Sequence, residues 1–456
     1  MRSEKGGRPV KRKWGLLLAV LLPVFLSGCM LSASVEELYS PPQLPEEYQA
    51  LSAHVEAILA SGAEYTSPTS GTNLQSVQLE DLDGDGHEEA LAFFRMSSEE
   101  RPMRIYIFRA VGDTYEQAAL IEGSGTSIHS IRYLDMDGDG VKEILVSWRV
   151  SAEVQAMAVY VLDGMEPVLT MSAAYARYEV VDLDDDDYQE VVVLRSDETG
   201  SGGALADYYD WEGKSLSLRS AARLSVTVAE LQWVDTGTLA SGETAVLVTG
   251  RSTGVEETSR AVTDILIYRE PDLTNIALSG TTGVSSLIAR FVNLQPTDIN
   301  GDGFVDVPMS AELPAQEGET YWKIYWICYD SNCQAADSVI TYHNLTDSWY
   351  LEIPSEWDGH FTVRQDNSSA TEHATTFYTY GGGGIGQELF TIYTLTGGGR
   401  DTQAAQGDRT VLRWQTNATY LVGYTEAYET WHYRVNAERL QADFRVILTP
   451  WSTGEE

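Results

Sequence analysis

Short apolar runs, separated by acidic and glycine-containing turns, make up most of the chain between residues 70 and 345. Runs such as Ala90–Phe94, Ile144–Trp148 and Val191–Leu194 are rich in β-branched, aliphatic and aromatic residues and are bounded by turn residues. They are also shorter than an ordinary buried helix. This pattern predicts a mainly β protein.

The segment 45–62 has a different apolar period. Apolar residues recur there at the spacing of one helical face, namely Leu51, Val55, Ile58 and Leu59. We therefore predict a helix over residues 45–60, packed against the first unit of β structure.

The apolar runs flank a nine-residue acidic loop that recurs along the chain. Its four clear copies are Asp81–Glu89, Asp135–Glu143, Asp182–Glu190 and Asp298–Asp306. A fifth unit, around Asp235 and Glu243, keeps the strand pattern, but Gly237 and Leu239 replace the middle carboxylates, and we expect that it has lost the metal. Each repeat has roughly the length of a four-stranded propeller blade, which buries its faces by stacking on its neighbours.

The loop has the chemistry of a calcium site. Calcium takes about six to eight oxygen ligands. Positions one, three, five and nine offer carboxylates or an amide, and position seven can offer its backbone carbonyl. Glycines at positions four and six permit left-handed turns; the third copy has Asp185 and Asp187 there. The alternative is a plain polar turn, but four carboxylates around one point repel each other without a cation.

The position of the last acid distinguishes this loop from an EF-hand or a dockerin loop. Those loops carry an acid at position twelve and continue into a helix, whereas position twelve here is Ala92, Val146 or Met309 within β-type runs. With its acid at position nine between two strands, the loop resembles the FG-GAP/VCBS repeats of integrin-α-type propellers. The resemblance covers about residues 70–345. It implies a propeller of about five blades, or a larger ring completed by C-terminal strands.

The resemblance also implies up to four Ca²⁺ sites, with side-chain ligands at positions one, three, five and nine and a backbone carbonyl at position seven. The residues concerned are Asp81, Asp83, Asp85, His87 and Glu89; Asp135, Asp137, Asp139, Val141 and Glu143; Asp182, Asp184, Asp186, Tyr188 and Glu190; and Asp298, Asn300, Asp302, Phe304 and Asp306.

The N-terminus has the pattern of an export signal. Basic residues precede the apolar stretch Trp14–Leu26, which is too short to span a bilayer as a stable anchor. The stretch ends in Leu26-Ser27-Gly28-Cys29, which resembles the lipobox of bacterial lipoproteins. This resemblance implies a signal peptide over residues 1–28, a lipid on Cys29 that anchors the protein to the membrane, and a proline-containing tether over residues 29–44. We expect the body to lie on the outer face of the cytoplasmic membrane.

The net charge argues against one class of partner, and the cysteine content predicts a disulfide. The formal net charge of −38 argues against nucleic acid, because binding a polyphosphate requires a basic face. Besides Cys29, the chain has only Cys328 and Cys333, and an even pair in an oxidising compartment predicts a disulfide.

Residues 346–456 have no acidic loop. The sequence Leu351–Trp357, followed by strands and a helix over 437–444, resembles small α+β domains of the Mog1/PsbP kind. The motif Gly250–Gly254 matches G-x-S-x-G, but a strand-like run rather than a helix follows it, so a blade hairpin is favoured over a hydrolase elbow. The C-terminal tryptophans could form a glycan-stacking surface, although core packing is their commoner use.

No catalytic constellation emerges from these patterns. We therefore expect a surface binding, adhesion or scaffolding module with an unidentified protein or glycan partner. The alternatives are a hydrolase that acts on envelope material and an accessory lipoprotein of a membrane complex.

Overall fold

The computed structural model describes residues 46–112, 114–152, 154–197, 203–253, 259–289, 294–405 and 407–448. The signal segment, Cys29 and the tether lie outside the described residues. Within these ranges no helix is both long enough and apolar enough to cross a membrane. The protein is mainly β, as predicted, and its strands form antiparallel sheets.

Three sheets follow one another in the first half of the chain. The first contains β1 (Glu64–Tyr65), β2 (Val77–Glu80), β3 (Glu89–Arg95), β4 (Met103–Val111) and β5 (Thr114–Gly123). The second contains β6 (Ser127–Leu134), β7 (Glu143–Arg149), β8 (Gln155–Asp163) and β9 (Glu166–Tyr175). The third contains β10 (Arg177–Val181), β11 (Glu190–Ser196), β12 (Ala204–Glu212) and β13 (Ser215–Arg223).

Three further sheets complete the fold. The fourth contains β14 (Leu231–Thr238), β15 (Thr244–Thr253), β16 (Ser259–Arg269), β17 (Asp272–Asn275) and β18 (Ile288–Ala289). The fifth contains β19 (Asp306–Leu313), β20 (Tyr321–Tyr329), β21 (Ala335–Asn344), β22 (Trp349–Ile353) and β28 (Phe444–Val446). The sixth contains β23 (Phe361–Asp366), β24 (Glu372–Gly381), β25 (Gly384–Thr396), β26 (Thr410–Trp414) and β27 (Ala418–Tyr424).

The helices are short except for the first. They are α1 (Glu46–Ala60), α2 (Arg400–Ala404), α3 (Glu426–Thr430) and α4 (Ala437–Asp443), with 3-10 turns at Val228–Glu230 and Ser355–Trp357. The predicted helices at 45–60 and 437–444 therefore correspond to α1 and α4.

Consecutive sheets pack face to face. In the first three sheets, the strand that follows the acidic loop (β3, β7 or β11) is buried on both sides. In β7, Ile144 and Val146 pack against the first sheet, whereas Leu145 packs against the third. In β11, Val191 faces the second sheet and Val192 faces the fourth. The period-two alternation of a strand thus divides each apolar run between two interfaces.

Helix α1 covers the free face of the first sheet. Leu51 and Val55 pack with Ala90, Ala92 and Phe94 on β3, while the other face of that strand packs against the second sheet. The face that would meet a last blade in a closed ring is therefore occupied by a helix. Such a helix acts as an end cap of a stacked array.

The fifth sheet extends past residue 345, where the boundary of the propeller was predicted. β22 pairs with β21, and β28 returns from the C-terminus to pair with β22. The sixth sheet packs on the fifth through a large aromatic core in which the rings of Phe377 and Phe390 stack 4.5 Å apart.

Within the described residues, the chain before the fourth loop does not add a strand to the fifth sheet. Ile288–Ala289 instead pairs with β16 in the fourth sheet. Residues 290–293 lie outside the described residues. Before the fourth loop, the described chain keeps only a single bridge between Thr297 and Asp306.

Candidate metal centre

All four acidic loops close a strand-to-strand connection in the same register. The residue before the loop lies opposite position nine in each case, in the pairs Glu80–Glu89, Leu134–Glu143, Val181–Glu190 and Thr297–Asp306. Position nine is therefore the first residue of a buried strand. Its carboxyl group is fixed by the sheet ladder, whereas the other acids lie on the loop.

The aspartate at position one organises the loop backbone. Asp81 Oδ1 accepts a hydrogen bond from Gly84 N at 2.8 Å, and its Oδ2 accepts one from Gly86 N at 3.1 Å. Asp182 makes the same pair of bonds to the N–H groups of Asp185 and Asp187. These bonds occur because Asp accepts hydrogen bonds from nearby backbone groups in turns.

Positions four and six adopt the left-handed conformation in every loop. Gly84 and Gly86 have φ of 71° and 87°, and Asp185 and Asp187 have φ of 63° and 71°. The third loop therefore keeps the loop shape with two aspartates in place of glycine, as predicted. Only a few residue types adopt this conformation readily, and a non-glycine residue is strained in it.

The loop conformation brings carboxylates together. In the third loop, oxygen atoms of all four predicted acidic ligands lie within 4.8 Å of one another. Three predicted acids converge in the same way in the first loop and three in the second. The converging groups are Asp182, Asp184, Asp186 and Glu190; Asp81, Asp83 and Asp85; and Asp135, Asp137 and Glu143.

The acid at position nine leaves an oxygen atom free on the inner side of two loops. Glu89 Oε2 accepts a hydrogen bond from Leu82 N at 3.0 Å, and Glu190 Oε2 accepts one from Leu183 N at 2.8 Å. The second oxygen, Oε1, of each glutamate is buried and has no hydrogen-bond partner in the described chain. Asp184 Oδ1 is also buried and has no hydrogen-bond partner in the described chain. Buried, unpaired carboxylate oxygens beside other carboxylates fit a hard divalent cation such as Ca²⁺.

The raised pKa values of the loop acids also favour a cation site. Burial, followed by the charges of Asp184, Asp182 and Asp186, raises the pKa of Glu190 to about 8 against the hydrogen bond from Leu183. Burial and neighbouring loop carboxylates likewise raise the pKa of Glu143 to about 7 and the pKa of Asp306 to about 6. Without a cation, each of these sites holds an acid that resists ionisation.

The residue at position two of the loop packs into the core between sheets. This role was not predicted from the sequence. Leu82 packs between the first and second sheets, Met136 between the second and third, and Leu183 between the third and fourth. All three are buried. Every copy of the loop has an apolar residue at position two, which an ordinary polar turn does not require. This pattern could have indicated the buried position from the sequence.

Arg109 is a second feature that the sequence pattern did not indicate. Its guanidinium Nη2 lies 3.3 Å from Asp83 Oδ2 and 4.0 Å from Asp85 Oδ2. This side chain is half-exposed and supplies one positive charge to the first loop. It would compete with a metal ion for the same oxygen atoms.

The remaining predicted metal positions differ from the complete loop. In the fourth loop, the amide of Asn300 donates to Asp302 Oδ2 at 2.8 Å. In the degenerate unit, Asp235 lies in β14 and pairs with Leu247 on β15, and its Oδ1 accepts a hydrogen bond from Gln295 Nε2 at 2.6 Å. Asp235 and Glu243 therefore belong to a hairpin rather than to an acidic loop.

The structure does not support the predicted disulfide, because Cys328 and Cys333 are free thiols. Cys328 pairs with Asp306 across the sheet, on the face that the loop acid occupies, and Asp306 raises the pKa of its thiol after burial does. Cys333 packs with the cluster that contains Tyr329, the residue after Cys328. Adjacent strand residues point to opposite faces, which separates the two sulfurs.

The other motifs are structural. Gly250 lies inside β15, and an added Cβ would come within 2.5 Å of Val226, so glycine is required there for close packing. Trp349 and Trp357 are buried in the core, and Trp431 packs against Trp357 at 5.0 Å. Trp414 is exposed. Most of these aromatic residues therefore serve packing rather than a surface platform.

Comparison with known proteins agrees with the loop pattern. An FG-GAP-like repeat model matches residues 81–146, which contain the first two loops and the strands between them. The chain thus contains an FG-GAP-like repeat, the kind of unit found in binding and adhesion modules. No curated protein matches the chain.

Proposed function

We propose that this FG-GAP repeat-containing protein is a calcium-stabilised binding or adhesion module, held by a lipid on the outer face of the bacterial cytoplasmic membrane. Calcium in this proposal is structural. The third loop carries the proposal, because its four acids converge and two buried oxygens, on Asp184 and Glu190, have no hydrogen-bond partner among the described residues. In the first three loops, the acid at position nine also accepts a hydrogen bond from the backbone N–H of the position-two residue, which packs between two sheets.

The size of the expected effect is consistent with a structural role. Extracellular calcium modules often bind with Kd of roughly 10⁻⁴ to 10⁻³ M. At about 1 mM calcium, one such site would add about 0.4 to 1.4 kcal/mol to the free energy of unfolding. Several sites together would be comparable with the stability of an ordinary domain.

Thermal unfolding in calcium and in EGTA tests the metal. We expect calcium to raise the melting temperature, and magnesium at the same concentration to raise it less, because these loops offer carboxylate-rich, flexible cages. Glu190→Gln should reduce the calcium-dependent shift. Asp163→Asn, an exposed acid on β8 outside the loops, is the matched control. An unchanged melting temperature for the unmodified chain would remove calcium from the proposal.

Membrane attachment is tested separately at Cys29. In a bacterial host, the full chain should partition with membranes and carry a diacylglyceryl group on its new N-terminal cysteine, as seen by mass spectrometry. The Cys29→Ala variant should lose the lipid, whereas Cys333→Ala should keep it. A lipid-free Cys29 in the full chain would contradict the anchor.

A further inference from the structure

A cavity of about 490 Å³ lies between the first three sheets, away from the acidic loops. Its wall comprises the stretch 70–72 before β2, the middle of β6 and the junction of β9 with β10. Arg177 stands at the start of β10, whereas the third loop begins after its end at Val181. At about 3.3 Å per residue, the cavity and that loop are roughly 15 Å apart along the strand.

The charge of this cavity is opposite to that of the protein as a whole. Arg132 and Arg177 line it together with His129, and none of its lining residues in the described chain is acidic. The chain has 68 acidic against 30 basic residues, so a wall with arginines and no acid differs from what its composition would give. The neighbouring cavity, lined by Glu179, Asp235 and Asp298, has the expected acidic character.

Neither Arg132 nor Arg177 forms an ion pair with a carboxylate of the described chain, although Glu179 lies near Arg132. Elsewhere, Arg104 pairs with Glu122 at 3.0 Å and Arg409 pairs with Glu372 at 2.9 Å. Arg177 instead donates to the carbonyl oxygen of Ala176 at 3.1 Å. That bond uses one of its five N–H donors, so the guanidinium group keeps donors for a ligand.

A third arginine adds to the positive field. Burial, and after it the charges of Arg149 and Arg177, lower the pKa of His129, so both guanidinium groups lie near the imidazole. The Nδ1 atom of His129 is buried and has no hydrogen-bond partner in the described chain. Burial raises the pKa of the nearby Glu179 carboxyl group to about 7, against the charge of Arg132.

The rest of the wall is suited to a hydroxyl-rich ring. The rings of Tyr175 and Tyr178 meet edge to face with centroids 5.1 Å apart, and the amide of Gln155 lies on the same wall. Serine and threonine side chains from the stretch 70–72 and from β6 complete it. Apolar small-molecule sites are lined mainly by aliphatic and aromatic side chains. This wall instead has two tyrosine rings among many hydrogen-bonding groups.

We infer that this cavity binds an acidic carbohydrate, with the acid group on Arg132 and Arg177 and a sugar ring against Tyr175 or Tyr178. A guanidinium group can hold a carboxylate, a sulfate ester or a phosphate ester through paired N–H donors. The inference rests on the proposed binding function and supplies its ligand class. It does not depend on which acidic loops are metallated.

Titration calorimetry on the full chain in calcium tests the site. The probes are a hexuronate disaccharide, a sulfated disaccharide and a neutral disaccharide of the same size. We expect one of the acidic probes to bind and the neutral probe not to bind. Arg132→Gln and Arg177→Gln should each weaken binding by about ten- to a hundredfold, the usual cost of a lost charge-assisted hydrogen bond. Arg413→Gln, at an exposed arginine on β26, should leave the affinity unchanged.

Calcium could also bridge an acidic sugar to the acidic loops. The Glu190→Gln variant separates the two sites, because it should keep sugar binding while its calcium-dependent melting shift falls. The inference is overturned if neither acidic probe binds at millimolar concentration, if the neutral probe binds equally well, or if both arginine variants bind normally. Arg177→Lys should keep part of the affinity, and unchanged circular dichroism spectra would show that the arginine variants are folded.

The outcomes for calcium and sugar are independent. A calcium-dependent melting shift without sugar binding would remove the acidic-carbohydrate site and leave the metal proposal intact. Sugar binding that persists in EGTA, with no calcium-dependent shift of the melting temperature, would remove the metal proposal and leave the acidic-carbohydrate site intact.

Discussion

The backbone N–H of Lys142 donates a 2.7 Å hydrogen bond to the carbonyl oxygen of Leu82, and so joins the second acidic loop to the first. Gln189 and Met136 repeat this bond at 2.7 Å between the third loop and the second. Because the N–H of Leu82 also donates to Glu89, both backbone groups of this residue are held by acidic loops. The first three loops therefore form one hydrogen-bonded row along the stack of sheets.

The first prediction concerns the side chain at position two of the loop. Leu82→Ala should lower the free energy of unfolding by about 2 to 5 kcal/mol, because the truncated side chain leaves a cavity between two sheets. Leu82 is 0% exposed, whereas Leu218 on β13 is 52% exposed. Leu218→Ala should change the stability by less than about 0.5 kcal/mol. Urea unfolding in calcium compares the two variants, and equal losses would contradict the role assigned to position two.

The sequence was sufficient to predict the four loops and the strands on either side of the first three. The nine-residue acidic loop predicts the turn, and the apolar runs that follow the first three loops are buried on both faces in the structure. Even the left-handed backbone at Asp185 and Asp187 followed from their alignment with glycines. These features are local, so a short stretch of chain determines them.

The features that were missed depend on contacts between distant parts of the chain. The pairing of β28 with β22 joins Phe444 to Leu351, a relation that no local pattern encodes. The helical period of α1 predicted a helix beside the first unit, but which face it covers follows only from the packing of β3. Likewise, Arg132 and Arg177 lie in different repeats, so only the stacking of sheets brings them to one cavity.

The second prediction concerns pH. The folded-state pKa of Glu190, about 8, lies above its ordinary value of 4.5, so the folded protein holds this proton more tightly than the unfolded chain does. In EGTA, the stabilising contribution is therefore full below pH about 4.5 and is lost as the pH rises through about 8. Glu190→Gln should make the stability less dependent on pH in this window, while Glu166→Gln, at an exposed residue of β9, should leave the pH dependence unchanged.

Calcium should reverse this dependence, because the ion binds the deprotonated acid and its affinity rises with pH. Chemical unfolding at pH 5, 6.5 and 8, with calcium and with EGTA, measures both effects. The same slope for the Glu190→Gln variant and the unmodified chain in EGTA would contradict the assignment to Glu190.

The third prediction concerns the strained backbone of the third loop. Asp185→Gly and Asp187→Gly should each stabilise the metal-free protein by about 0.5 to 1 kcal/mol, because glycine adopts positive φ without a Cβ clash and each variant removes one repelling charge. The reciprocal change Gly138→Asp, in the second loop, should destabilise it, since φ there is 72°. Melting temperatures in EGTA measure these changes in stability. A loss of stability in both glycine variants would contradict the prediction and show that the aspartates contribute contacts.

The last prediction concerns the helix that caps the array. Leu51 and Val55 of α1 cover Phe94 and its neighbours on β3, and the ring of His54 lies 5.5 Å from Phe108. The double variant Leu51→Ala/Val55→Ala should release α1 from the sheet and expose this apolar face to water. We expect increased binding of a hydrophobic dye, together with faster amide hydrogen exchange in β3 and β4.

The third sheet should keep its protection in this variant, because it packs between the second and fourth sheets and not against the helix. In a stacked array, each unit contacts only its neighbours, so damage at one end spreads gradually. Glu56→Ala, on the exposed side of α1, is the matched control and should leave exchange unchanged in both sheets. Loss of protection to the same extent in the first and third sheets would show that the stack unfolds as one unit, and that α1 is more than a local cap.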